Sequence, residues 1–178
     1  MQRINTPLDG CFILKPSIFS DHRGYFYESY NRKDFNRIAE FDAVFVQDNQ
    51  ALSNYGTVRG LHFQKGEWAQ AKLVRVIQGK VLDVAVDLRP GSATYGRHVS
   101  VELSGENHLQ LFVPRGFAHG YSVLEDKTLF SYKCDNYYHK EAEGGIIYND
   151  TTLGIDWKIP ADRMQISEKD LRLGMFIP

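Results

Sequence analysis

The sequence predicts an all-β protein, an antiparallel sandwich, jelly roll or barrel with a few short helices at its edge. Three observations predict it. Short runs rich in Val, Ile, Phe and Tyr recur at 11–14, 24–30, 72–77, 81–88, 98–103, 109–113, 120–124 and 129–134, each about strand length. Turn residues separate them, as in Gln78-Gly79-Lys80, Pro90-Gly91-Ser92, Ser104-Gly105-Glu106 and Pro114-Arg115-Gly116. Only two stretches read as helical, so the sheet must supply the core.

The first helical stretch, 32–39, follows Asn31, a residue type that caps helix N-termini, and carries Phe35, Ile38 and Ala39 as its apolar residues. The second, 167–173, opens with Ser167 and has Asp170 at the third helical position, a variant of the capping box. A tail of this kind packs outside the sheet and can still point residues inward. The run 81–88 is a strand with two distinct faces. Leu82, Val84, Val86 and Leu88 form an apolar face, while Val81, Asp83, Ala85 and Asp87 share the other. Two carboxylates on one face suit a strand that lines a polar cavity; a solvent-facing edge strand is the alternative.

At 178 residues the chain suits a single domain, 1–178. A hydrophobic fraction of 43% with 13% aromatics can build a sizeable core. The 21 basic and 22 acidic residues nearly cancel, so no broad attraction to nucleic acid or an anionic membrane is expected. No apolar run approaches a membrane span, and MQRINTPLDG lacks the apolar core of a secretory signal. A soluble cytoplasmic protein is the expectation. Cys11 and Cys134 are the two cysteines, read as buried thiols rather than a disulfide framework.

The segment from Gly56 to Gly79 carries the frame of the first cupin motif: a glycine, five residues and then His62. The second histidine position holds Gln64. Lys72, followed by six residues and then Gly79, occupies the slot of the metal-binding Glu, after a longer gap than usual. The second cupin motif is echoed by Pro114-Arg115-Gly116-Phe117-Ala118-His119, with His108 and Val123 at its flanking Gly and Asn positions. A lysine ammonium has no lone pair and repels a cation, so this set is a poor metal site. It suits proton transfer beside a developing negative charge. A histidine or tyrosine on a strand is by itself more often structural, and a lone Arg or Lys is more often a solvated charge. The case therefore rests on the combination.

Over nearly its whole length the chain resembles the dTDP-4-dehydrorhamnose 3,5-epimerase family. The matched blocks are FSDHRGYFYESY, QDNQALSNYGTVRGLHFQ, AKLVRVIQGKVLDVAVDLRPGSATYG, VPRGFAHGYSVL, YKCDNYY, IIYNDTTLGIDW and ISEKD, in one order. The resemblance implies a cupin-type jelly roll and a homodimer whose N-terminal strands join the partner's sheet. It implies epimerisation at C3 and C5 of a dTDP-4-keto-6-deoxy sugar, without metal or cofactor, in dTDP-L-rhamnose synthesis. By the same resemblance His62 is the base, Asp170 orients it, Lys72 stabilises the enolate, and Tyr132 returns a proton from the opposite face. Arg23 and Glu28 would reach the ligand from the partner subunit. Gln47, Asp48 and Asn49 would form a ligand-contacting loop. Arg59 would contact the diphosphate, Tyr138 would stack on the thymine, and Glu143 and Lys169 would complete the ligand contacts. His119 would sit near the sugar, held by Asp83. A single-centre epimerase or 3,4-ketoisomerase, a non-catalytic sugar-nucleotide-binding cupin and a metal-dependent dioxygenase are the rival readings.

Overall fold

The computed structural model describes residues 1–40 and 42–178. In chain order its strands are β1 Gln2–Asn5, β2 Phe12–Lys15, β3 Phe19–Asp21, β4 Gly24–Phe26, β5 Gln47–Ser53, β6 Thr57–Gln64, β7 Lys72–Gln78, β8 Lys80–Asp87, β9 His98–Ser104, β10 Gln110–Val113, β11 Phe117–Val123, β12 Thr128–Cys134, β13 Glu143–Gly145 and β14 Gln165–Ile166. Helix α1, Arg32–Ala39, is the one α-helix among the described residues. One sheet runs β1-β2-β10-β7-β12-β5. The other runs β13-β6-β11-β8-β9, with β14 added parallel to β6. The β3–β4 hairpin forms a small sheet of its own.

The two large sheets enclose a core drawn from alternate residues of each. Val74 and Val76 of β7, Leu111 and Val113 of β10 and Phe130 of β12 meet Val81 and Ala85 of β8, Leu103 of β9 and Phe117 and Val123 of β11. Burying each such side chain contributes about 1.5–3 kcal/mol. Each sheet is also covered on its outside. Helix α1 lays Phe35 and Ala39 on Phe12, Leu14, Leu73 and Phe112 of the first sheet. Leu153, Trp157 and Phe176, from the chain beyond β13, cover Val58, Leu61, Leu82, Val84 and Val86 of the second.

This double cover settles the two-faced strand. In β8 the apolar face is the outer one, beneath the C-terminal segment, and Val81, Asp83 and Ala85 point inward. Asp83 is fully buried and bonded to His119, which lines the cavity, so this face backs the cavity wall rather than lining the cavity itself. Asp87 departs from it. It accepts hydrogen bonds from Arg89, Ser92 and Thr94 and holds the turn after β8 instead.

Helix α1 has the expected limits, with Asn31 Oδ1 accepting from Asp34 N at 3.3 Å as its N-cap. The stretch 167–173 is shorter than expected, a single 3-10 turn at Asp170–Arg172. Residues 47–49, expected as a loop, lie in β5. Its polar sequence QDNQALS conceals the alternation, in which Gln47, Asn49 and Ala51 are half-buried and Asp48, Gln50 and Leu52 are exposed. Cys11 and Cys134 are buried free thiols. No helix among the described residues is long and apolar enough to cross a membrane.

The pairing of β6 with β11 has an irregularity that shapes the site. Tyr121 pairs with Arg59 and His119 with His62, so two residues on β11 span three on β6. The extra residue is a β-bulge, which reverses the side-chain phase of the strand. It lets Arg59 and His62 share the inner face while Val58 and Leu61 share the outer one. Two glycines permit the close approach. Gly60 has φ +112°, and a Cβ there would lie 2.7 Å from both Gly120 Cα and His119 O.

Candidate active site

Between the sheets lies a cavity of about 670 Å³, lined among others by Arg59, His62, Lys72, His119, Tyr132 and Asp170. A smaller lobe of about 310 Å³ shares Asn49, His62, Lys72 and Tyr132 and leads to Tyr138 and Glu143. His62 and His119 come from neighbouring strands of one sheet. Lys72 and Tyr132 come from neighbouring strands of the other. The cavity therefore has an imidazole wall and an ammonium–phenol wall facing each other.

Each imidazole is bound to a buried carboxylate. His62 Nε2 lies 2.8 Å from Asp170 Oδ1, with the Asp170 side chain 5% exposed. The other Asp170 oxygen accepts from Gly60 N at 3.3 Å. Burial alone would push the Asp170 carboxyl up. The His62 hydrogen bond and charge, the Gly60 N–H and the Ser167 hydroxyl outweigh it and hold the pKa below the ordinary value. With Nε2 engaged, Nδ1 of His62 is the nitrogen available to a ligand. His119 Nε2 lies 2.9 and 3.0 Å from the two oxygens of Asp83, both residues being buried.

On the opposite wall Lys72 Nζ sits 5.8 Å from the centre of the Tyr132 ring. Burial drives the Lys72 ammonium pKa down, against the opposing influence of Cys134, Asp83 and Glu143. Burial also raises the Tyr132 phenol, aided by Cys134 and opposed by Arg59. Tyr132 is thus held as the protonated phenol, a proton donor at neutral pH. Cys134 is pushed up to about 11 by burial and stays a thiol.

The other expected site residues fall into three groups. Gln47, Asn49, Tyr138, Glu143 and Lys169 form a connected rim. Gln47 Nε2 donates to Asn49 Oδ1 at 3.0 Å and Tyr138 N to Gln47 Oε1 at 3.2 Å. Tyr138 OH donates to Glu143 Oε2 at 2.9 Å and Lys169 Nζ to Glu143 Oε1 at 2.6 Å. Arg59 lies at the cavity wall, its Nη2 donating to Ser53 Oγ at 3.3 Å. Asp48, Arg23 and Glu28 are elsewhere. Strand alternation turns Asp48 outward, where it pairs with Lys133 at 2.8 Å. Arg23 pairs with Asp21 at the tip of the exposed β3–β4 hairpin, and Glu28 accepts from Asn31 Nδ2. Neither touches the cavity of its own chain.

The cavity also includes residues that the sequence did not single out for it. Tyr121 and Phe130, stacked with ring centres 4.1 Å apart, line the cavity, and so do Ser167 and Gln165. Strand parity could have found two of them, since Phe130 and Tyr121 lie two positions from Tyr132 and His119. Gln64, in the former metal slot, is 8% exposed and accepts from His139 N at 2.9 Å.

A family model described as dTDP-4-dehydrorhamnose 3,5-epimerase matches residues 5–177. The chain is 49% identical over 173 residues to a dTDP-4-dehydrorhamnose 3,5-epimerase of Escherichia coli (strain K12), covering 97% of this chain and 93% of that one. It resembles the crystal structure of a dTDP-4-dehydrorhamnose 3,5-epimerase from Elizabethkingia anophelis NUHP1 with a TM-score of 0.95 and 55% identity, covering 99% and 96% of the two chains. It also resembles the dTDP-6-deoxy-D-glucose-3,5-epimerase RmlC of Legionella pneumophila Philadelphia 1, solved in complex with dTDP-4-keto-L-rhamnose. There the TM-score is 0.94 and the identity 46%, covering 98% and 92%. Motif order, cavity chemistry and overall similarity agree, and the chain belongs to the dTDP-4-dehydrorhamnose 3,5-epimerase family.

Proposed function

We infer that this protein epimerises C3 and C5 of dTDP-4-dehydro-6-deoxy-D-glucose to give dTDP-4-dehydro-L-rhamnose, the activity named for its family and its nearly full-length relatives. The observation that carries the chemistry is the pair of opposed walls, with a base and its carboxylate on one and a phenol and an ammonium on the other. A proton beside a ketone becomes removable when the developing enolate oxygen is stabilised. His62 takes that proton and becomes an imidazolium paired with Asp170. The electron pair moves onto the ketone oxygen, where the Lys72 ammonium offsets its charge. Tyr132 then donates its phenolic proton to the carbon from the other side, and the bond re-forms with inverted configuration. His62 releases its proton to water and the phenolate regains one. The same cycle applied at the second carbon inverts both.

Arg59, on the same wall as the base, suits the diphosphate, and the exposed Tyr138 ring suits the thymine. The assembly we propose is a homodimer in which the N-terminal hairpin reaches a second copy, bringing Arg23 and Glu28 to the partner's cavity. What supports it is the hairpin's exposed aromatics: Phe19 is 67% and Phe26 72% exposed in the isolated chain.

Incubating the protein with the 4-keto substrate in heavy water tests the reaction. Deuterium should enter at both C3 and C5, and His62→Ala should abolish exchange while dTDP still binds. Label at a single carbon would turn the reading to a single-centre epimerase; exchange surviving in His62→Ala would remove His62 as the base.

A further inference from the structure

We propose that Ser167 is a positioning residue for proton removal, fixing Asp170 against His62 through the backbone of the turn that carries Asp170. The proposal rests on His62 acting as the base.

Asp170 lies 108 positions after its partner, on a single 3-10 turn. One turn of this kind has too few internal hydrogen bonds to hold its own shape. Its anchorage comes from the residues before it. Ile166 pairs with Val58 and Gln165 with Thr57, tying β14 to the start of β6. Ser167 follows directly. Its Oγ accepts from Asp170 N at 3.1 Å, and its carbonyl accepts from Leu171 N at 3.0 Å. The Asp170 carboxylate then returns to β6, at Gly60 N and His62 Nε2. The path is a closed ring that leaves β6 at Val58 and re-enters it at Gly60 and His62. Ser167 is the link at which backbone pairing gives way to side-chain placement. Its short hydroxyl can accept from the Asp170 N–H without leaving the turn. General-base geometry tolerates little slack, so a loosened link should slow the chemistry without weakening the ligand.

Ser167 also lines the cavity, so the rival role is direct contact with the ligand. The test is a double-mutant cycle with solvent-deuterium incorporation into the 4-keto substrate as the readout. Ser167→Ala should lower kcat by about 5- to 20-fold, the size of one lost hydrogen bond, with KM changed less than about twofold. In an Asp170→Ala background the same substitution should cost less than about twofold, because the carboxylate it places is already gone. Ser167→Thr, which keeps the hydroxyl, should recover most of the rate. Thermal melting and dTDP binding of each variant identify any that fail to fold, and Ser167→Cys, which keeps the volume but accepts only weakly, then replaces Ala as the comparison. A raised KM with unchanged kcat would make Ser167 a ligand contact and overturn the proposal. Equal losses in both backgrounds, with His62→Ala inactive, overturn the positioning role alone. Exchange surviving in His62→Ala overturns the role and the base assignment together.

Discussion

Replacing Asp170 with Asn keeps the shape of the dyad and removes its charge. Asp170 is 4% exposed, and its Oδ1 lies 2.8 Å from His62 Nε2. In the resting enzyme this is a hydrogen bond to a charged acceptor, worth about 1.5–3 kcal/mol. When His62 takes the substrate proton, an imidazolium forms with its charge about 4 Å from that of the carboxylate. At an effective dielectric of about 20, such a pair attracts by about 4 kcal/mol. An amide supplies neither attraction in full, so about 3–4 kcal/mol of transition-state stabilisation is lost, which slows kcat by about 10²- to 10³-fold. If the Asn amide donates to Nε2, the ring proton moves to Nδ1 and the nitrogen facing the ligand can no longer accept, which deepens the loss. The assay is loss of the C3–H and C5–H signals in heavy water, with dTDP affinity measured by calorimetry. A variant within about threefold of the parent rate, with unchanged dTDP affinity, would refute the orienting role of Asp170.

Lys72→Met should separate activity from stability. Burial lowers the Lys72 pKa, so holding it charged opposes folding at every pH below its unfolded pKa; the variant should melt at a higher temperature at pH 7 while kcat falls by about 10²-fold or more. Calorimetry and exchange rates on one preparation check both, and a lower melting temperature would contradict the argument. Asp87→Asn concerns stability alone. Asp87 is fully buried, and although burial would raise its pKa, the Arg89, Ser92 and Thr94 hydrogen bonds hold it far below the ordinary value. A depressed folded pKa contributes stability above the unfolded value of 3.8 that is lost as pH falls below it. The variant should cost about 3–5 kcal/mol at pH 7, and the gap from the parent should narrow steadily in melts taken from pH 4 to pH 2. Gly120→Ala would bring a Cβ to 2.7 Å from Arg59 O, parting the strands at the bulge. It should destabilise by about 1–3 kcal/mol and impair both KM and kcat, and kinetics unchanged from the parent would show that the strands can yield there.

The sequence carried the central strands of both sheets well because their Val, Leu and Phe alternate cleanly, as in 72–77 and 129–134. It also carried α1, whose cap and apolar spacing are local signals. The two strands nearest the chemistry were the least legible. β5 lines a cavity with Gln47 and Asn49 and so lacks apolar contrast. β6 changes phase at its bulge, so no single periodicity describes it. The dyad between His62 and Asp170 followed from resemblance rather than spacing, since no local rule connects residues 108 apart. Asp48 was read together with its neighbours as a loop. Once 47–53 is a strand, parity separates it from them.

The bulge makes strand phase, and not only residue identity, a condition of activity. Between Arg59 and His62 the chain has one residue more than its neighbour needs, and the bulge that absorbs it keeps the guanidinium and the imidazole on one side. Straightening the strand at unchanged length would put His62, three residues from Arg59, on the opposite face, in the layer occupied by Val58, leaving a strand that can still pair but a cavity without its base. A side chain at Gly60, where φ is +112°, opposes the bulge and would therefore act as an inactivating lesion in a chain that can still fold.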